Sequence, residues 1–275
     1  MARFSPLRRW AGRIAGSLLM TASAQGVAQD GPPVLPDGLR EVGSGVVRRV
    51  IDGDTVVLED GRQIRLVGTQ APKLPLGRPN YPTWPLAEES RAALVELVDG
   101  ERVRLYVGGR DVDRHGRTLA HLVRASDGLW IQGEMLRRGL ARVYTFADNR
   151  AATDALYAQE RAARAAGRGI WTLAYYAVRT PDNVGGDVDS FQLVAGRVLE
   201  ATEVRGRIFL NFGRDWRTDF TVTIPPDARD LFAAAGLDPL ALEGRRIRVR
   251  GWIESYNGPE ITADHPEMIE VEPPD

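Results

Sequence analysis

The sequence predicts a mainly β protein with helices, organised as two small β units in series. Three observations carry this. From residue 46 to 73 the chain reads VVRRVIDGDTVVLEDGRQIRLVGTQAPK, where runs rich in β-branched residues alternate with Asp52-Gly53 and Asp60-Gly61, dipeptides that reverse a chain between antiparallel strands. Helical periodicity enters only after this stretch and recurs three times before residue 171. Beyond residue 192 the pattern returns to short strands with a single helix among them.

Taken in order, strands are expected over 46–51 and 55–58, with a third carrying Arg65. The segment KLPLGRPNYPTWP holds four prolines and reads as a surface loop beside the mouth of the curled sheet. A helix follows over 86–99, with Pro85 just ahead of it and Leu86, Ala93, Leu94 and Leu97 on one face. Residues 101–107 alternate polar and apolar, and 117–123 form a strand after the DRHG turn. A second helix over 130–139 turns Ile131, Met135 and Leu136 inward and stops at Gly139. The third, over 152–166, is rich in alanine and arginine. Residues 172–192, with Thr180-Pro181-Asp182-Asn183 and Gly185-Gly186, read as a linker. Strands over 194–199, 207–212 and 220–224, a helix over 226–235, a strand over 245–254 and a short pair near Ile261 and Ile269 give the order βββαββ, before a tail at 272–275.

A chain of 275 residues can build two cores, and 43% hydrophobic with 27% charged residues excludes a disordered or membrane protein. The sequence has no cysteine, so neither disulfides nor thiolate metal sites are available. His115, His121 and His265 are too scattered for a zinc cluster. Residues 1–24 carry Arg3, Arg8, Arg9 and Arg13, an apolar run over 14–20 and Ala22-Ser23-Ala24, the layout of a secretory signal peptide. Export to the periplasm or the medium is expected, with 25–43 as a leader and no stable membrane span. Removing the four arginines takes the formal charge from −1 to −5. Residues 44–171 hold 20 basic and 16 acidic side chains, against 10 and 13 in residues 193–271. That excludes a dedicated duplex-DNA binder and leaves room for a local cationic cluster in the first unit.

The IDGDT turn, the RLVGTQAPK run, DRHGRTLAHL at 113–122 and Arg168-Gly169-Ile170-Trp171 stand in one order over residues 44–171. This set resembles the thermonuclease (staphylococcal nuclease) family. The resemblance implies an oligonucleotide-binding (OB) barrel of five strands and three helices, and the order βββαββ suggests a second small OB-like barrel over 193–271. It also implies calcium-assisted phosphodiester hydrolysis with acidic metal ligands, a glutamate as general base and two arginines on the phosphate. Carried over by motif, Asp54 is the first metal ligand and Arg65 and Arg117 are the arginines. Two positions depart: Gln70 stands at the second acidic ligand and Lys73 at the glutamate.

Calcium draws on roughly six to eight oxygens and on ligand charge, so Gln70 keeps an oxygen and loses a charge. An ammonium at Lys73 repels the ion and is no base unless its pKa falls far below about 10.4. Calcium is therefore weakened as a cofactor and none is required. Lys73 is the only lysine beside 35 arginines. It reads either as a loop residue or as a cation that pairs with Asp54 in the metal's region. Asp54 is a metal ligand or a turn cap, while Arg65 and Arg117 hold phosphate or pair with loop carboxylates such as Asp113. His115 replaces a common tyrosine of the family and reads as a turn residue. Tyr144 and Phe146 are stacking or core residues, and so are Trp216, Trp252 and Tyr256 with Arg214 and Arg217 in the second unit. The expected protein is an exported member of that family that binds nucleic acid or another phosphate-bearing polyanion, with hydrolysis impaired. The alternatives are an active phosphodiesterase and a cell-envelope protein-interaction module whose partner the sequence does not name.

Overall fold

The computed structural model describes Met1, residues 31–215 and residues 217–273. Apart from Met1, the signal segment expected at 1–24 lies outside the described residues, as does Trp216. The first unit contains β1 (Arg40–Asp52), β2 (Thr55–Leu58), β3 (Gln63–Leu66), β4 (Thr69–Gln70), α1 (Ala87–Val98), β5 (Arg102–Val107), β6 (Thr118–Arg124), α2 (Ile131–Arg137), β7 (Arg142–Val143) and α3 (Thr153–Ala165). Strands β1, β2, β3, β6 and β5 close into a barrel. β1 makes closure possible: its first half pairs with β5, its second with β2, and register slips at Glu41/Gly43, Val47/Arg49 and Val50/Asp52 bend it between the two. The inward alternation fills the barrel with Val50, Val56, Ile64, Leu66, Leu105 and Leu122, and Leu94, Met135 and Leu156 cover it from the helices.

The second unit contains β8 (Phe191–Arg197), β9 (Glu200–Val204), β10 (Arg207–Asn211), β11 (Thr221–Ile224), α4 (Arg229–Ala234), β12 (Arg246–Trp252), β13 (Glu254–Ser255), β14 (Pro259–Thr262) and β15 (Ile269–Val271). Its strands form a five-stranded sheet, β13-β14-β11-β10-β9, and a three-stranded sheet, β15-β12-β8, around one core of Val194, Leu210, Phe220, Phe232, Ile247 and Ile261. The chain is thus mainly β, with a closed barrel followed by further sheets. Residues 172–192 carry two short 3-10 helices, Ala174–Tyr176 and Val184–Asp187, and bury Tyr176 and Val184. The described part of the expected leader also packs on the barrel unit: Pro33 is buried and its carbonyl accepts the Trp130 N–H at 3.1 Å, ahead of α2.

A buried ion pair joins the two units. Arg250 of β12 donates to both oxygens of Glu160 on α3 at 3.0 and 2.8 Å, to the Val143 carbonyl at 2.9 Å and to Glu270 at 2.8 Å. Its guanidinium also lies 4.3 Å over the Tyr157 ring. Burial opposes both charges, yet each holds the other ionised, with Glu160 below and Arg250 above their ordinary values. Thr145 and His265 add a 2.8 Å hydrogen bond across the same joint, and the Tyr157 hydroxyl donates to the Glu267 carbonyl.

His121 of β6 gives the barrel a pH dependence. Its Nδ1 accepts the Trp130 indole N–H at 3.3 Å, and burial pushes the imidazole down to about 4. The unfolded chain therefore takes the proton first as pH falls from about 6.5, and stability drops by about 1.4 kcal/mol per pH unit until the folded state also protonates. Urea unfolding should show a loss of about 2 kcal/mol between pH 6.5 and 5. His121→Gln should flatten that slope; an unchanged slope would place its origin elsewhere.

Candidate functional site

The site begins at the turn between β1 and β2. Asp52 Oδ1 accepts the Asp54 N–H at 3.1 Å, which fixes the turn. A Cβ on Gly53 would stand 2.0 Å from Ser90 Oγ of α1, so only glycine lets the turn lie this close to the helix. The Asp54 side chain is fully buried. Its Oδ2 accepts the Ala71 N–H at 2.7 Å and lies 2.6 Å from Lys73 Nζ and 3.2 Å from Arg65 Nη2. Arg65 also donates to the carbonyls of Leu66 at 2.5 Å, Thr69 at 2.7 Å and Asp54 at 3.3 Å. Gly68, at φ +79 and with Leu156 Cδ1 only 2.5 Å from where a Cβ would sit, makes the tight turn that brings Thr69 to this guanidinium.

Burial alone would raise Asp54, but Arg65 and Lys73 hold its carboxyl far below the usual range. The same burial, with Asp54 as neighbour, raises Asp52. Lys73 is lowered by burial in spite of Asp54. Gln70 faces another way. Its Oε1 accepts from Arg142 Nε at 2.9 Å and Nη2 at 2.7 Å across the β4–β7 ladder. Arg142 is buried, 4.5 Å over the Phe191 ring, and burial lowers it to about 10. A calcium ion would meet an Asp54 oxygen already shared by an ammonium and a guanidinium, and a Gln70 oxygen already taken. Among the described residues no three His, Asp or Glu side chains are grouped to hold a metal. In this arrangement the residues do not fit calcium.

Above Asp54 opens a cleft of about 600 Å³. Of the residues expected from the sequence, Arg65, Gln70, Lys73, Arg117 and Tyr144 line it together, with Asp54 beneath. Arg117 is gripped by Asp113, Nε to Oδ2 and Nη2 to Oδ2 both at 2.7 Å, and its side chain stays 30% exposed. His115 sits in the adjoining turn, where its Nε2 accepts from Arg114 at 3.2 Å. Arg110 and Arg114 join the lining, so five cations face two carboxylates, Asp113 and Asp148. The aromatic part is Tyr144, Phe146 and Trp252. Tyr256 lies elsewhere, beside the β10–β11 face. The sequence reading missed Arg142, Asp52 and the place of Trp252; of these only Asp52, first carboxylate of the IDGDT turn, carried a local signal.

Residues 63–173 match the family of staphylococcal nuclease homologues. The thermonuclease of Staphylococcus hyicus is 30% identical over 134 residues, 46% of this chain and 74% of that protein. The chain belongs to the staphylococcal nuclease family. An "Uncharacterized endonuclease" of Escherichia coli O157:H7 is 34% identical over 131 residues, 46% of this chain and 76% of its own length. The "Probable staphylococcal-like nuclease CAN2" of Oryza sativa subsp. japonica is 37% identical over 118 residues, and this chain spans 28% of that protein. Each of these matches covers under half of this chain, and the family match begins at Gln63, after β1 and β2, so the larger share of the protein lies outside the nuclease homology.

Proposed function

We propose that the cleft binds the phosphate backbone of nucleic acid and that phosphodiester hydrolysis there is impaired. One observation carries the reading: the Lys73 ammonium stands 2.6 Å from the Asp54 carboxylate, in the place where a metal-dependent member of the family needs a cation of its own. Five cations in a cleft with three aromatic rings suit a polyanion with stackable bases, and the names of the relatives point to nucleic acid as that polyanion. Arg117 is the accessible phosphate ligand, whereas Arg65 is committed to carbonyls and to Asp54. We also propose export through residues 1–24, which a mature N-terminus found by mass spectrometry between Gln25 and Gly31 would support and an intact Met1 would refute.

Titration with a labelled single-stranded oligonucleotide tests the main reading. Affinity should fall steeply between about 50 and 200 mM salt, and Arg117→Ala should weaken binding and reduce the salt slope by about 1. Absence of binding at low salt would remove the nucleic-acid reading and favour a protein-interaction role.

A further inference from the structure

We infer that the second β unit supplies a stacking subsite to this cleft, centred on Trp252, and that it takes an unpaired nucleobase. The inference rests on the cleft being a nucleic-acid site. Trp252 ends β12, two residues beyond Arg250, and residues two apart on a strand face the same side. Arg250 is sunk into the joint between the units by Glu160 and the Val143 carbonyl. The next side chain on that face is therefore carried onto the segment that follows β7. There the indole N–H reaches the Tyr144 hydroxyl at 3.3 Å, and the ring becomes part of the cleft wall.

The ring is placed but not covered. Trp252 is 46% exposed, while Tyr144 already packs edge-on against Phe146 and Phe191 at 4.8 and 4.9 Å. An indole fixed at its N–H and half open in a cleft that also holds Arg117 and Lys73 is a platform for a flat ring whose own strand carries phosphate. Bases in a duplex have both faces covered by their neighbours, so the platform selects unpaired ones. The cleft, at about 600 Å³, has the size of a small-ligand site.

The test uses the full chain with a short oligothymidylate, an abasic oligomer of equal length, and the variants Trp252→Phe and Trp252→Leu. Oligothymidylate should quench part of the tryptophan fluorescence of the unmodified protein. Trp252→Phe should lose that part of the quench and keep affinity within about threefold, because a phenyl ring still stacks. Trp252→Leu should lower affinity about tenfold or more. All three proteins should bind the abasic oligomer alike, and thermal melts should match because the side chain is half exposed. If Trp252→Leu keeps its affinity, or weakens both oligomers equally, the subsite is overturned and the nucleic-acid reading stands. If the unmodified protein binds neither oligomer, both fall together.

Discussion

Replacing Arg250 by alanine should cost about 3–5 kcal/mol, because it leaves the Glu160 carboxylate buried without its partner. Glu160 is completely inaccessible, and its other cation, Arg164, touches one oxygen at 3.3 Å. Val143 would lose an acceptor bond and the two units their central tie. For a chain of this size the melting temperature should drop by about 10 °C, read by calorimetry. Arg246→Ala is the control. Its pair with Glu272 is half exposed and should be worth under about 1 kcal/mol. Equal losses in the two variants would mean that the joint owes little to this ion pair.

Exchanging Lys73 for glutamate should make the protein respond to calcium. The substitution removes the ammonium 2.6 Å from Asp54 and sets a third carboxylate beside Asp52 and Asp54, with Arg65 as the opposing charge. Without metal, Lys73→Glu should lose roughly 3 kcal/mol. Calcium at about a hundred times its dissociation constant should return about 2.7 kcal/mol, visible as a rise in melting temperature that the unmodified protein does not show. Gln70→Asp acts differently, because its carboxylate would meet the Arg142 donors that now hold Gln70 Oε1. Alone, with the Lys73 ammonium still facing Asp54, it should confer no calcium response. The double variant Gln70→Asp with Lys73→Glu should gain calcium-dependent cleavage of single-stranded DNA. If the unmodified protein cleaves as fast, the impaired-site reading fails and an active phosphodiesterase takes its place.

The local sequence revealed what depends on near neighbours. The strands either side of Asp52-Gly53 and the helix ending before Gly139 were legible from turn chemistry and periodicity. β9 was not, because Glu200–Val204 reads EATEV and owes its extension to pairing with the five residues of β10 rather than to alternation. The Asp54–Lys73 approach was one of two readings open to the sequence, because the IDGDT turn and the RLVGTQAPK run stand in one short stretch of strands. Gln70 and Arg142 lie in strands two residues long, too short to leave a pattern. Arg250 and Glu160 each read alone as surface charge; only the packing of α3 on β12 reveals them as partners. The sequence shows Trp252 as an aromatic of the second unit, but its place in the wall of the first unit's cleft depends on that same packing.

Lys73 also has a practical consequence. It is the only lysine in the sequence, its side chain is 20% exposed, and burial shifts its amine toward the neutral, nucleophilic form. Acylating reagents that scatter over the surface of ordinary proteins would here find one side chain, at the floor of the cleft, besides an α-amino group. Modification would cancel the charge facing Asp54, and any molecule lodged above would slow it. The rate of labelling at this single amine therefore becomes a footprint of cleft occupancy that needs no engineered probe.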